Sequence, residues 1–165
     1  MKYKIFLSTF FLLILGVFNI ACTNKTILNT PSKILIYSNE NIKEINSDNS
    51  AFNEIVNMTN NRFNNDLTII QDVVNDDYIN KLKKEKLSIE FIYDNEQKID
   101  VQKQTIKYDR LFFPLIPENN EDNIVETFQY GNKDGYNNLS EKSINHSIGS
   151  LKKSDKLIEK IKQIN

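Results

Sequence analysis

Residues 87–94 constrain the fold of this chain most, because apolar and polar side chains alternate through them with Ile92 the one exception. Leu87, Ile89, Phe91 and Tyr93 fall on one side and Ser88, Glu90, Ile92 and Asp94 on the other. That period of two is the pattern of a strand with one face in a core. Asp94, Asn95, Glu96 and Gln97 predict a turn, after which 98–104 supply a hairpin partner with Ile99 and Val101 inward. Residues 105–113 alternate again through Ile106, Tyr108, Arg110 and Phe112, until Pro114 and Pro117 stop the ladder. A further alternating strand is expected over 124–130, where Ile124, Glu126, Phe128 and Tyr130 oppose Val125, Thr127 and Gln129. Asp134-Gly135 marks a turn, and the polar stretch from there to Ser150 predicts no regular element.

Helical spacing occupies the flanks of this strand block. Phe52, Ile55, Val56, Thr59 and Phe63 recur at helical intervals behind Asn49 and Ser50, which predicts an amphipathic helix running to about residue 65. Asn75, Asp76 and Asp77 form a capping start for a second helix with Tyr78, Ile79 and Leu82 as its buried stripe. Lys81, Lys83, Lys84 and Lys86 gather at its far end, where a solvated terminus accounts for them. Ser154 and Asp155 open a last helix whose Leu157, Ile158, Ile161 and Ile164 face inward. Ile34, Leu35, Ile36 and Tyr37 suit a strand buried on both faces, and Ile42 and Ile45 in the polar stretch 39–49 suit a short turn or hairpin. Residues 66–74 fit a strand or a helical face equally. Strands and helices in blocks argue for an α+β domain, a mostly antiparallel sheet of about four to five strands packed with two to three helices.

The amino terminus has a different character. Lys2 and Lys4 precede an apolar run over 5–18, shorter than the roughly 20 residues that cross a bilayer, and the one cysteine, Cys22, follows Ala21. This layout resembles the bacterial lipoprotein signal. The resemblance implies a signal peptide over 1–21, a diacylglycerol on the sulfur of Cys22 and a further fatty chain such as palmitate. Two buried chains hold a protein on a bilayer that one would release. Residues 22–32, polar and containing Pro31, then read as the lipidated cysteine and a flexible tether, and 33–165 as one extracytoplasmic domain. The expected location is the outer face of the cell membrane, with the bilayer itself as one partner. The first 21 residues hold two lysines and no acid, so their removal moves the formal charge from −1 to −3. That balance excludes the strongly basic face on which nucleic-acid binding depends. No cysteine beyond Cys22 is present for disulfides, so packing alone must stabilise a domain of this size, expected to be monomeric.

Catalytic patterns are scarce. His146 is the only histidine and lies in a polar stretch, and no serine stands on a glycine-flanked turn. Histidine and cysteine are too few for a mixed metal site, and the acids of 94–100 and 118–122 lack the spacing of a calcium loop, so neither metal nor cofactor is expected. Arg110 is the exception: it interrupts an apolar, aromatic strand, where it serves either a local ion pair or recognition of a carboxylate or phosphate. By alternation Tyr108 shares its face, which makes Arg110 and Tyr108 the candidate ligand-binding pair. Residues 87–94, Tyr108-Asp109-Arg110-Leu111-Phe112-Phe113-Pro114-Leu115 and Phe128-Gln129-Tyr130-Gly131-Asn132 resemble small Gram-positive lipoproteins of uncharacterised function. That resemblance implies a membrane-anchored domain and transfers no active site. A binding or interaction module for a protein or small molecule is the leading expectation. An enzyme acting on envelope material would instead bring together Arg110, Asp109, Tyr108, Tyr130 and His146, and a structural envelope protein would show a broad apolar patch.

Overall fold

A computed structural model describes residues 27–64, 66–116, 125–136 and 147–164. These residues form an α+β fold in which seven strands make one antiparallel sheet, in the order β2-β1-β4-β5-β6-β7-β3. The strands are β1 (Lys33–Ser38), β2 (Asn41–Asn46), β3 (Thr68–Ile70), β4 (Ser88–Val101), β5 (Gln104–Pro114), β6 (Glu126–Gly131) and β7 (Ser147–Leu151). The helices are α1 (Phe52–Asn60), α2 (Asp76–Glu85) and α3 (Asp155–Ile164). The sheet is therefore larger than the four to five strands expected. Its additions, β2, β3 and β7, are short pieces near the margins, recruited by pairing with a neighbour rather than by alternation of their own.

Both faces of the sheet are covered. Ile89, Phe91, Leu111, Phe113, Phe128 and Ile148 point to one face and pack with Phe52 and Ile55 of α1 and with Leu157, Ile158 and Ile161 of α3. Phe113 stacks on Phe128 at 5.4 Å and meets Phe91 edge-on at the same distance, so an aromatic cluster fills the middle of this layer. Tyr37, Phe112 and Tyr136 occupy the opposite face with Val74 and with Ile79 of α2. Residues 88–91 are consequently buried on both sides, Glu90 included.

Three local features depart from the pattern in the sequence. First, the chain does not turn at 94–97. The register runs from Ile92 opposite Arg110 to Gln97 opposite Tyr108, so 93–96 form a bulge in β4, and the hairpin turns at Gln102 and Lys103 instead. A polar run signals a break in the ladder, and here the break is an insertion rather than a reversal. Second, α1 ends at Asn60 rather than near residue 65, and the Asn60 side chain holds the segment before β1, accepting from Leu28 N at 3.2 Å and donating to Leu28 O at 3.4 Å. That bond also shows Leu28, within the stretch read as tether, buried in the core, and Ser32 N donates to Ile92 O at 2.8 Å. Packing thus begins before Lys33. Third, 66–74 resolve into a three-residue strand and a loop, with β3 at the margin of the sheet against β7.

The second helix starts as its sequence requires: Asn75 Oδ1 accepts from Tyr78 N at 2.8 Å, with Asp76 and Asp77 in the first turn. Ile79 is its buried anchor, while Tyr78, expected inside, is 43% exposed. β1 and β2 join through Asn39 and Glu40, whose φ values of 50° and 66° are those of a two-residue I′ hairpin loop.

Candidate functional site

Both arginines of the chain end on buried glutamates, one on each face of the sheet. On the α2 face, Glu90 is 1% exposed and its carboxylate is surrounded. Tyr37 Oη donates to it at 2.5 Å, Tyr136 Oη at 2.7 Å and Lys83 Nζ at 2.8 Å, while Arg110 Nη1 stands 3.8 Å away. Lys83 also lies over the Tyr37, Tyr136 and Phe112 rings, 4.7, 5.5 and 5.7 Å from their centroids. Burial alone would raise the Glu90 carboxyl, but the Lys83 charge and the three donated hydrogen bonds outweigh it and hold the group below its ordinary range. The same environment, burial first and the Glu90 charge next, pushes the Tyr37 and Tyr136 phenols up. Tyr136 is fixed from its backbone as well, donating N–H to Asp76 Oδ1 at 2.7 Å. The turn that brings it there needs Gly135, which has φ +123° and whose missing Cβ would sit 2.6 Å from the same Asp76 oxygen.

This arrangement corrects two expectations. Lys83 is no solvated helix end: it follows the buried Ile79 by four residues, shares its face and carries its ammonium inward. Arg110 and Tyr108 are not a pair. The irregular register at Asp109 puts Tyr108, 2% exposed, in the α1/α3 core against the Tyr93 ring at 5.5 Å, and Arg110 on the other face. Burial raises the Tyr108 phenol to about 12. Tyr130 packs on the core side with Tyr108, so the groups an enzyme was expected to gather stand on two faces; His146, Cys22 and the acids of 118–122 lie outside the described residues.

On the other face, Arg62 is the second arginine, 3% exposed. Its Nη2 donates to Glu126 Oε2 at 2.5 Å and its Nε to Lys152 O at 3.1 Å. Glu126 Oε1 accepts from Ser154 N at 2.8 Å and from Ser154 Oγ at 3.1 Å, and Ser154 O accepts from Ile158 N in the first turn of α3. The pair thereby ties the segment after α1 to β6 and to the start of α3. Burial raises the Glu126 carboxyl and lowers the Arg62 guanidinium, the mark of an ion pair taken out of water. Arg62 Nη1 is buried and has no hydrogen-bond partner among the described residues.

A cavity of about 620 Å³ opens over this pair, between the end of α1 and the start of α3. Arg62 and Leu157 form its buried floor, Met58 a half-buried wall, and Lys152, Lys153 and Lys156 an exposed rim beside the half-buried Asp155. Sequence reasoning missed this place. The available signal was the use of arginine at only two positions in a lysine-rich chain, since a planar fork of donors suits a buried carboxylate better than an ammonium does. Among the described residues no three potential metal ligands cluster, and no helix is long and apolar enough to cross a membrane. No family model, curated protein or solved structure matches the chain.

Proposed function

We propose that this protein is a lipid-anchored extracytoplasmic binding module, held on the membrane through a diacylglycerol on Cys22, and that its ligand occupies the cavity between α1 and α3. The cavity is the observation that carries the reading. Its volume of about 620 Å³ falls within the range of small-molecule sites, and it combines apolar wall with a few polar groups at fixed positions. The floor is preorganised, because Arg62 is held by Glu126 and by Lys152 O, and Glu126 by Ser154. Among the described residues Glu90 is engaged with Lys83 and Arg110, which favours a structural role for Arg110 and supports a binding role for Arg62 instead.

The chain has two methionines, Met1 and Met58, and Met58 lines the cavity. Met1 leaves with the signal peptide on this reading, so methyl labelling of methionine in the mature chain gives a single resonance, at the site. A small-molecule fragment collection should yield binders that displace the Met58 resonance saturably. A collection that leaves it in place would refute the cavity as a binding site.

A further inference from the structure

The geometry points to an amphiphilic anion as the ligand of this cavity: a carboxylate or phosphate head with a short apolar arm. This rests on the reading of the cavity as the binding site and adds the chemical class. Four features of the lining converge on it.

The first is the unmet donor. Arg62 is almost wholly buried, two of its nitrogens are engaged, and Nη1 has no partner among the described residues. A buried donor without a partner is a standing free-energy cost that an incoming oxygen removes. Arg62 itself lines the cavity, and a side-chain adjustment of the kind that commonly accompanies binding would open Nη1 to a ligand. The second is charge. Lys152 and Lys156 stand exposed on the rim beside Lys153, opposite the one rim acid, Asp155. The carboxylate beneath, Glu126, is already committed to Arg62 and Ser154. The third is the helix: α3 has ten residues and begins at this rim, so the positive end of its dipole adds to the same field. The fourth separates an amphiphile from a bare ion. Met58 and Leu157 give the cavity an apolar side, which a free inorganic anion would leave unused.

Asp155 opposes an anion and so provides an internal control. Removing its charge should tighten binding without disturbing the floor.

The test uses the methyl resonance of Met58 in the full chain, with four probes of matched length at constant ionic strength: hexanoate, hexyl phosphate, hexanol and hexylammonium. Hexanoate and hexyl phosphate should shift the resonance saturably, with hexanol at least about tenfold weaker and hexylammonium weaker still. Lys152→Met combined with Lys156→Met, both at exposed positions, should weaken the two anions about tenfold and leave hexanol unchanged. Asp155→Asn should strengthen them. If hexanol equals hexanoate, the cavity binds ligands but the anionic class is wrong. If inorganic phosphate alone matches hexyl phosphate, the apolar arm is wrong. If none of the four moves Met58 while its resonance responds to other fragments, the amphiphile is wrong and the cavity reading survives; if nothing moves it, both fall.

Discussion

Replacing Lys83 by Met should destabilise this domain far more than replacing Arg110 by Met, although both residues are cations facing the same buried carboxylate. Lys83 Nζ is 2.8 Å from Glu90, its side chain is 17% exposed, and it lies against three aromatic rings. Arg110 stands 3.8 Å away, beyond hydrogen-bond reach, with its side chain 33% exposed. Breaking a buried pair by removing one member costs about 3 to 5 kcal/mol, because the remaining charge is left in the interior. Two phenol donors and Arg110 still face Glu90 in the Lys83 variant, so the low end, about 3 kcal/mol, applies. Met keeps the apolar stem and opens no large cavity. The longer, wetter contact of Arg110 resembles a surface pair, for which about 1 kcal/mol or less is expected. In thermal unfolding the first change lowers Tm by roughly 10 to 15 °C and the second by roughly 3 °C.

The pH dependence adds a second, independent readout. Glu90 has its folded pKa held below the unfolded value, so its stabilisation is complete above the unfolded carboxyl range, about pH 4.3, and is lost as pH falls through the lower folded value. Without Lys83 the folded pKa rises, and the ionised carboxylate becomes a burden near neutrality. The gap between wild type and Lys83→Met should therefore be large at pH 7, begin to shrink as pH falls through the raised folded value of the variant, and go on shrinking until pH passes the lowered folded value of the wild type. Urea unfolding at pH 7 and pH 3.5 measures it. A loss below about 1 kcal/mol for Lys83→Met, or a larger loss for Arg110→Met, would show that the distances misrepresent which cation holds the carboxylate.

Phe91→Ala should cost about 3 to 5 kcal/mol in urea unfolding, since its ring is wholly buried against Phe113; a loss under about 1 kcal/mol would reverse the faces assigned to β4. Glu40→Gly should stabilise by about 0.5 kcal/mol, because relief of a left-handed residue slightly exceeds the added freedom of the unfolded chain, whereas Glu40→Val should destabilise by about 1 kcal/mol or more. Unfolding midpoints that rank Val above Gly would exclude the I′ loop. Cys22→Ser should abolish labelling by a fatty-acid analogue and release the protein from the membrane fraction; equal labelling in the variant would remove the anchor from the proposal.

The interior strands were legible because each has to satisfy a pleat over many residues. Ile89, Phe91 and Tyr93 announce the core face of β4, and Phe128 that of β6. Ser147-Ile148-Gly149-Ser150-Leu151 announces nothing: too short and too polar to alternate, it becomes a strand because β6 and β3 offer it ladders on both sides. A bulge defeats pattern reading differently, since Tyr108 and Arg110 are two residues apart in sequence yet fall on opposite faces once the register slips between them. The site suffered from a third cause. Arg62 sits past the end of a helix and Lys152 in the connection before another, and only the fold brings them within 3.1 Å. Lys83 was the exception, readable in principle, because its spacing of four from Ile79 places it on the buried stripe rather than among its solvated neighbours.

The order of strands also fixes an order of events. β3 is made early in the chain but finds its ladder only at the far margin, where Thr68 opposes Gly149. Arg62, made earlier still, meets its carboxylate at Glu126 and its second acceptor at Lys152. A chain emerging amino end first can close the β4–β5 hairpin at once, from neighbours in sequence, and can lay Phe63 on Phe113 and Phe128 once β5 and β6 are made, but the core layer of Phe52 and Ile55 is completed only when β7 and α3 arrive. Such non-local closure places folding in the slow range, milliseconds to seconds. For that interval the apolar side of the sheet is open to other chains, so the last eighteen described residues, 147–164, serve as the clasp that ends its vulnerability to association.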